Sequence, residues 1–423
     1  MKTQPATTQI GWLGIVLLLF LAACAAPPNS PTPSPVVPTQ APSPTPSPLP
    51  SPTPVARSLR LWVGEDAAAL PAIQAVITNF TQASGTPITV IPKPPDALRL
   101  SVAGLSLSGE APPDLIWADQ EILAGLLADG YLQPVRASGD ALPGLQTAAT
   151  SQSQLWGIPI TAQNQLLLLY NRSRISSPPT SSDDLITSSR AAQGGLVMVW
   201  DEPYWLVPWL YGFGGSLTAG ADGPPSLNTP AMLAALNLFG ELAVAAPAEV
   251  KTYRGGQRWF GEGEVGLMVD GEWALSEYRS LTETLDLGIA PLPRIPATNQ
   301  AALPLISGSF LMFARDLSRD DLKPAEELAH YLEQPTTQIE LALALGRLPA
   351  SMEALADPRL QADPGRAAAA NQARQAPGLP PTKAARCALF GIDVWLPSLL
   401  KGNLDQAETA EAMQAEAEAC VTQ

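Results

Sequence analysis

The stretch SLRLWVGEDAAALPAIQAVITNFTQASGTPITVI, residues 58–91, decides the fold class. Leu59 to Val63 alternates and carries aromatic and β-branched side chains, which predicts a strand. Leu70, Ile73, Val76, Ile77 and Phe80 then recur at helical spacing over 70–84, and Gly85 follows as a stop. Ile88 to Ile91 predicts a second strand. The rhythm continues with a helix over 98–108, a strand over 113–117 and a helix over 121–129 ended by Gly130. Strand alternating with helix argues for an α/β sheet with crossover helices. Further along, 166–170 and 195–200 are near-continuous apolar runs that suit buried strands. Residues 264–270, 287–290 and 307–313 predict more strands. From Asp320 the pattern is helical, over 324–333, 337–345, 358–375, 384–401 and 406–419.

Outward from this region lies a different composition. Met1 to Gln9 is polar with one cation, Lys2, and Ile10 to Ala23 is almost wholly apolar. The small residues of Leu21-Ala22-Ala23-Cys24 suit a signal peptidase, and the cysteine after them resembles a bacterial lipoprotein lipobox. That resemblance implies a signal peptide over 1–23, a lipidated Cys24, and a membrane anchor outside the cytoplasm. Residues 24–57 are rich in Pro, Ser and Thr, with PTPSP at 31–35 and SPTPSPLPSPTP at 43–54. Proline fixes φ and removes amide donors, so this segment is expected to be a disordered, semi-rigid tether.

Without residues 1–23 the chain holds 23 basic and 39 acidic residues, a net charge of −16. That excess of acid argues against nucleic acid, whose binding rests on Lys and Arg neutralising phosphates. The length beyond the tether provides for two lobes at ~100–200 residues each. With Cys24 assigned to the lipobox, Cys387 and Cys420 remain. A leftover pair outside the cytoplasm predicts a disulfide bridge.

Enzyme chemistry is largely excluded by what is missing. His330 is the only histidine, so neither a His-based triad nor a multi-histidine metal site can be built; no cofactor or metal is expected. Residues 261–266, Gly-Glu-Gly-Glu-Val-Gly, match GxGxxG, but a helix-like segment precedes them and a strand follows. A dinucleotide fingerprint needs the reverse order, so a turn into a strand is expected. Acid pairs such as Glu65/Asp66 and Asp201/Glu202 could serve glycoside hydrolysis, yet such pairs are common in an acidic chain.

Aromatic residues at strand ends carry more information. Trp62 and Trp117 fall near the C-terminal ends of predicted strands, where open α/β sheets bind ligands. Asp201-Glu202-Pro203-Tyr204-Trp205 and Gly271-Glu272-Trp273 follow two others. A sugar offers an apolar C–H face to an aromatic ring and a hydroxyl rim to carboxylates and amides.

Taken in order, these segments resemble the extracellular solute-binding proteins of ABC importers, most closely the maltose/maltodextrin-binding branch. The resemblance runs from Leu59 to about Val421. It is carried by Leu61-Trp62-Val63-Gly64, Pro113 to Ala118, Gly157-Ile158-Pro159-Ile160 leading to Tyr170-Asn171, Glu202-Pro203-Tyr204, Gly214-Gly215 and Gly271-Glu272-Trp273-Ala274. It implies a two-lobed periplasmic-binding-protein fold of type II, an interlobe cleft with hinge segments, closure on a sugar, and no catalysis. The lobes are expected at 58–162 plus 307–356 and at 163–306 plus 357–423. A monomer with an ABC permease partner is implied.

The strand-end reading and the positions carried over from that family together give the candidate ligand-binding set Trp62, Glu65, Asp66, Trp117, Gln120, Gln163, Asn164, Glu202, Tyr204, Trp205, Trp273 and Phe390, with Glu65 or Asp66 and Gln163 or Asn164 as alternatives for one family position each. Where that family carries an Asp-Arg pair after the first-lobe tryptophan, this chain has Gln120-Glu121. Its C-terminal aromatic pair becomes Leu389-Phe390. Such exchanges alter which hydroxyls can be bound. The expected ligand is a di- or oligosaccharide, maltose itself being disfavoured. The alternative is a polyamine or other cation held by acids and aromatics, and behind it a carbohydrate-active enzyme. The cleft-lining segments named above contain no Arg or Lys, which argues against a phosphate.

Overall fold

Residues 57–137, 139–191, 195–246 and 252–423 are described in the computed structural model. The expected signal peptide 1–23, the expected lipidation site Cys24 and all of the expected 24–57 tether except Arg57 lie outside the described residues. Arg57 itself is already tied to the fold: its guanidinium reaches Asp114 and Asp321, each at 2.6 Å.

The opening stretch forms the strand Leu59–Gly64, the helix Leu70–Ser84 and the strand Ile88–Pro92. Gly85 closes the helix at φ +74°, a left-handed conformation that glycine adopts without a Cβ penalty. Leu59–Gly64 lies between Ile88–Pro92 and Leu115–Asp119 and is parallel to both. The strand Ser307–Ala314 then adds antiparallel to Leu115–Asp119, followed by Ile158–Gln163 and Leu348–Pro349. With Leu132–Gln133 beside Ala314 this makes a seven-stranded sheet.

A second, four-stranded sheet runs in the order Leu287–Ala290, Leu166–Asn171, Leu267–Gly271, Leu196–Val197. The chain leaves the large sheet after Gln163 and enters the small one at Leu166. It returns at Ser307.

Both faces of the large sheet are buried. Leu61, Val63, Trp117, Ile160 and Leu311 pack under the helices Leu70–Ser84 and Arg319–Glu333. On the opposite face, Trp62, Ile116, Ala118 and Phe310 pack with residues of the helices Pro95–Ala103 and Gln120–Ala128. Successive strand residues point to opposite faces, so a strand covered on both sides reads as a continuous apolar run whichever way its neighbours run. The small sheet shares this design. Leu166 and Leu168 pack with the helices Pro203–Gly212 and Pro230–Ala245.

Several expected elements change their bounds for physical reasons. The helix expected over 98–108 is two, Pro95–Ala103 and Leu105–Ser108, parted at Gly104, whose backbone favours helix least among non-proline residues. The one expected over 358–375 is also two, because Asp363 caps a new helix, Pro364–Ala373, at its proline. Of 195–200 only Leu196–Val197 is strand. Gly261 closes the helix Tyr253–Gly261, and Gly263 turns at φ +75° toward the strand Leu267–Gly271, so the GxGxxG run is a turn. The helices Ser182–Arg190, Pro203–Gly212 and Pro230–Ala245 and the strand Ile158–Gln163 were not expected. Pro159 hides that strand in the sequence; it sits where the ladder shifts register between Ser309 and Phe310, a bulge that tolerates a residue with no N–H.

The expected Cys387–Cys420 bridge is present, with the two Cα atoms 5.6 Å apart. It fastens the helix Lys383–Leu400 to the last helix, Gln406–Thr422. In the chain-entropy picture, closing a loop of 33 residues stabilises the fold by about 3–4 kcal/mol. Cys420→Ser is therefore expected to lower the unfolding free energy by that amount in urea titration. Thiol labelling of the unreduced protein is expected to find neither Cys387 nor Cys420 reactive.

Candidate functional site

Trp273 is the one large aromatic of the expected set that opens toward a cavity. It sits in the short helix Glu272–Ala274, just beyond the strand Leu267–Gly271, and is 44% exposed. Three packing facts hold it. Its indole lies against Gly271, where a Cβ would come within 2.2 Å of the ring. Its Nε1 donates to the Tyr253 hydroxyl at 3.0 Å. Trp205 meets it edge-on with ring centroids 6.5 Å apart. Edge-to-face packing is a preferred arrangement of aromatic pairs and fixes one ring against the other.

The cavity beside it measures about 460 Å³, within the ~300–1,000 Å³ typical of small-molecule sites. Gln163 and Asn164 line it from the crossing segment, and Arg347 lines it from the large-sheet side. Trp273, Ser276, Arg279 and Arg366 line it from the other.

The crossing segment is held by two side chains from the small-sheet side. A Glu272 carboxylate oxygen accepts from the Gln165 N–H, and the Glu272 N–H donates to the Gln165 carbonyl at 3.0 Å. Burial pushes the Glu272 carboxyl up to about 7, against the lowering effect of its backbone donors. The Tyr204 hydroxyl lies within reach of two carbonyls, Asn164 and Leu305, the second at 2.9 Å. Those two residues belong to the outgoing and returning connections between the sheets. Asn164 adopts φ +67°, a strained region that asparagine tolerates better than most residues, and its Nδ2 donates to Ser307 Oγ at 2.6 Å.

The expected ligand-binding residues divide into three groups. Gln163, Asn164 and Trp273 meet in the cavity. Tyr204 and Trp205 stand behind it, the first on the crossing carbonyls and the second donating from Nε1 to the Val269 carbonyl at 3.2 Å. Glu65 reaches it only through Arg347, whose terminal nitrogens bond the two carboxylate oxygens at 3.1 and 2.8 Å.

The others are elsewhere. Trp62 and Trp117 are both 0% exposed and belong to the core on opposite faces of the large sheet. They fail as ligand platforms because they lie within strands covered by helices on both sides, short of the open end. Gln120 donates to the Leu379 carbonyl at 2.7 Å. Asp66, Glu202 and Phe390 are exposed and lie outside the cavity lining.

The absence of cations expected for the cleft is overturned by Arg279, Arg347 and Arg366. They come from segments distant in sequence, which only the fold brings together. Arg347 had one local signal: it follows Gly346, a helix stop at φ +69°. Among the described residues no three His, Cys, Asp or Glu side chains gather to hold a metal ion.

A model of the bacterial extracellular solute-binding proteins matches residues 75–368 of the chain. A maltotriose-binding protein of Pyrococcus abyssi is 25% identical over 324 residues, covering 72% of this chain and 69% of that protein. Among solved structures, a cyclo/maltodextrin-binding protein complexed with maltotetraose aligns with a TM-score of 0.77 at 19% identity, over 87% of this chain and 98% of its own. The maltose-binding periplasmic protein of Listeria monocytogenes in complex with maltose aligns at 0.76 and 18%, over 86% and 98%. The structural matches establish the shared two-lobed α/β fold.

Two outcomes follow from the crossing segment. A carboxyl whose proton is held more tightly in the folded chain lends stability that fades as pH rises from 4.5 through about 7. Glu272→Gln is therefore expected to gain about 2–3 kcal/mol relative to wild type between pH 5 and pH 8, read from urea unfolding at both. An equal difference at the two pH values would refute this. Tyr204→Phe, which removes the shared hydroxyl, is expected to lower stability by about 1–2 kcal/mol.

Proposed function

The chain belongs to the bacterial extracellular solute-binding proteins, and on that premise we propose that it captures a di- or oligosaccharide outside the cytoplasm and delivers it to the membrane subunits of an ABC importer. The observation that carries this reading is the half-exposed indole of Trp273 in a cavity lined from both sheets, with Gln163 and Asn164 in the same lining. A pyranose ring presents C–H bonds to the indole, and its hydroxyls both donate to and accept from the amides. The ligands named for the relatives, maltotriose, maltotetraose and maltose, belong to the same chemical class.

Closure of the two lobes over the sugar would use the connections around Asn164 and Leu305, where the chain passes between the sheets. Cys24 would carry the lipid and residues 24–57 the tether, keeping the protein beside its permease as a monomer. Binding and release are the whole of the proposed activity, without chemical change in the sugar. A cationic ligand is disfavoured by the three arginines of the lining.

Titration calorimetry with maltotriose and maltotetraose tests this, with spermidine as the contrasting ligand. Trp273→Ala is expected to weaken oligosaccharide binding by about tenfold, since a lost stacking face is worth about 1.4 kcal/mol. The variant should still be folded, with a cooperative thermal transition. Heat with spermidine and none with either sugar would overturn the reading.

A further inference from the structure

The cavity carries more positive charge than a neutral sugar calls for. Arg279, Arg347 and Arg366 all line it, in a chain whose formal net charge is −15. Their engagements differ. Arg347 is occupied by Glu65 through both terminal nitrogens and also donates to Ser309 Oγ at 2.9 Å. Arg279 gives one nitrogen to Asp363 at 2.7 Å. The Arg366 guanidinium has no carboxylate within ion-pair distance among the described residues; only its backbone N–H is used, by Asp363 at 2.9 Å.

Asp363 thus serves several positive groups at once. It caps the helix Pro364–Ala373, pairs with Arg279 and stands beside Arg366. Arg366 lies in the first turn of that helix, where aligned peptide dipoles already disfavour a cation. The one acid of the lining, Glu272, is turned onto the Gln165 amide. Arg279 and Arg366 therefore both line the cavity, while the one carboxylate that pairs with either, Asp363, lies outside its lining. A guanidinium is a rigid fork of donors without an acceptor, matched to a carboxylate rather than to a hydroxyl.

We propose that the ligand is an acidic oligosaccharide, in which one ring stacks on Trp273 and a neighbouring uronosyl carboxylate is received by Arg366 and Arg279. This rests on the oligosaccharide reading and narrows it. It also accounts for an arginine kept where its own helix disfavours it. Conflict between a residue and its local structure is characteristic of functional sites.

The test is calorimetry on the mature protein with a matched pair: maltotriose, and maltotriose with one 6-hydroxymethyl group oxidised to a carboxylate. The acid form is expected to bind about tenfold tighter, with the margin shrinking as salt is raised. Arg366→Gln should bring the two affinities within about twofold, because the charge-assisted fork is lost. Lys323→Gln makes the same change in net charge on an exposed helix, outside the cavity, and should preserve the margin. A preference for the neutral sugar, a margin that survives Arg366→Gln, or an equal loss in Lys323→Gln would each overturn the proposal. If maltotriose binds and its acid form does not, only this inference falls. If neither binds, the oligosaccharide reading falls with it.

Discussion

Where a chain passes from one sheet to another, its peptide groups lose their ladder partners, and buried N–H and C=O groups must be satisfied some other way. The passage at Asn164-Gln165 meets this constraint with side chains. The Glu272 carboxylate takes the Gln165 N–H, and the Tyr204 hydroxyl covers the Asn164 carbonyl. The same residues position the site. Glu272 precedes Trp273 in the chain, so the group that satisfies the crossing also sets where the cavity-lining indole begins. Tyr204 opens the helix Pro203–Gly212 and meets Trp205, which in turn meets Trp273. Cavity wall and crossing are thus one packed assembly, and a movement of either reaches the other through a few rigid rings.

The electrostatics of the cavity follow from its position between lobes. Burying Glu65 on the large-sheet side requires a partner, and Arg347 supplies a two-point contact. Such a pair, enclosed on both sides, is worth more for fixing geometry than for net stability, since desolvation offsets much of the attraction. On the opposite wall the balance is looser: Asp363, outside the lining, pairs with Arg279 and takes the Arg366 N–H, and the Arg366 guanidinium has no ion-pair partner among the described residues.

Much of the fold was legible because its strands and helices follow local rules. The alternation at Leu59 to Val63, the apolar spacing from Leu70 to Phe80 and the stop at Gly85 all act within a few residues. The Cys387–Cys420 bridge was legible from compartment and number. Trp273 was legible as the aromatic beyond a strand. Trp62 and Trp117 carried the same signal and proved to be core, because whether a strand-end tryptophan is open depends on helices that pack over it from elsewhere in the chain. The helix Pro203–Gly212 was missed because it is apolar nearly all round and has Pro208 inside, which erases the periodicity that marks a surface helix. Arg279, Arg347 and Arg366 could not be found from spacing, since their common position exists only after folding.

The grip of Arg57 on Asp114 and Asp321 has a mechanical consequence. Asp114 leads into the strand Leu115–Asp119, Asp321 belongs to the helix Arg319–Glu333, and two residues after Arg57 the strand Leu59–Gly64 begins, flanked on both sides by parallel neighbours. A tug on the preceding chain is first shared among these three elements. Beyond that grip it runs along the axis of an interior strand, loading many ladder bonds together in shear instead of peeling them one at a time. The polypeptide therefore enters this domain at a point suited to bear load.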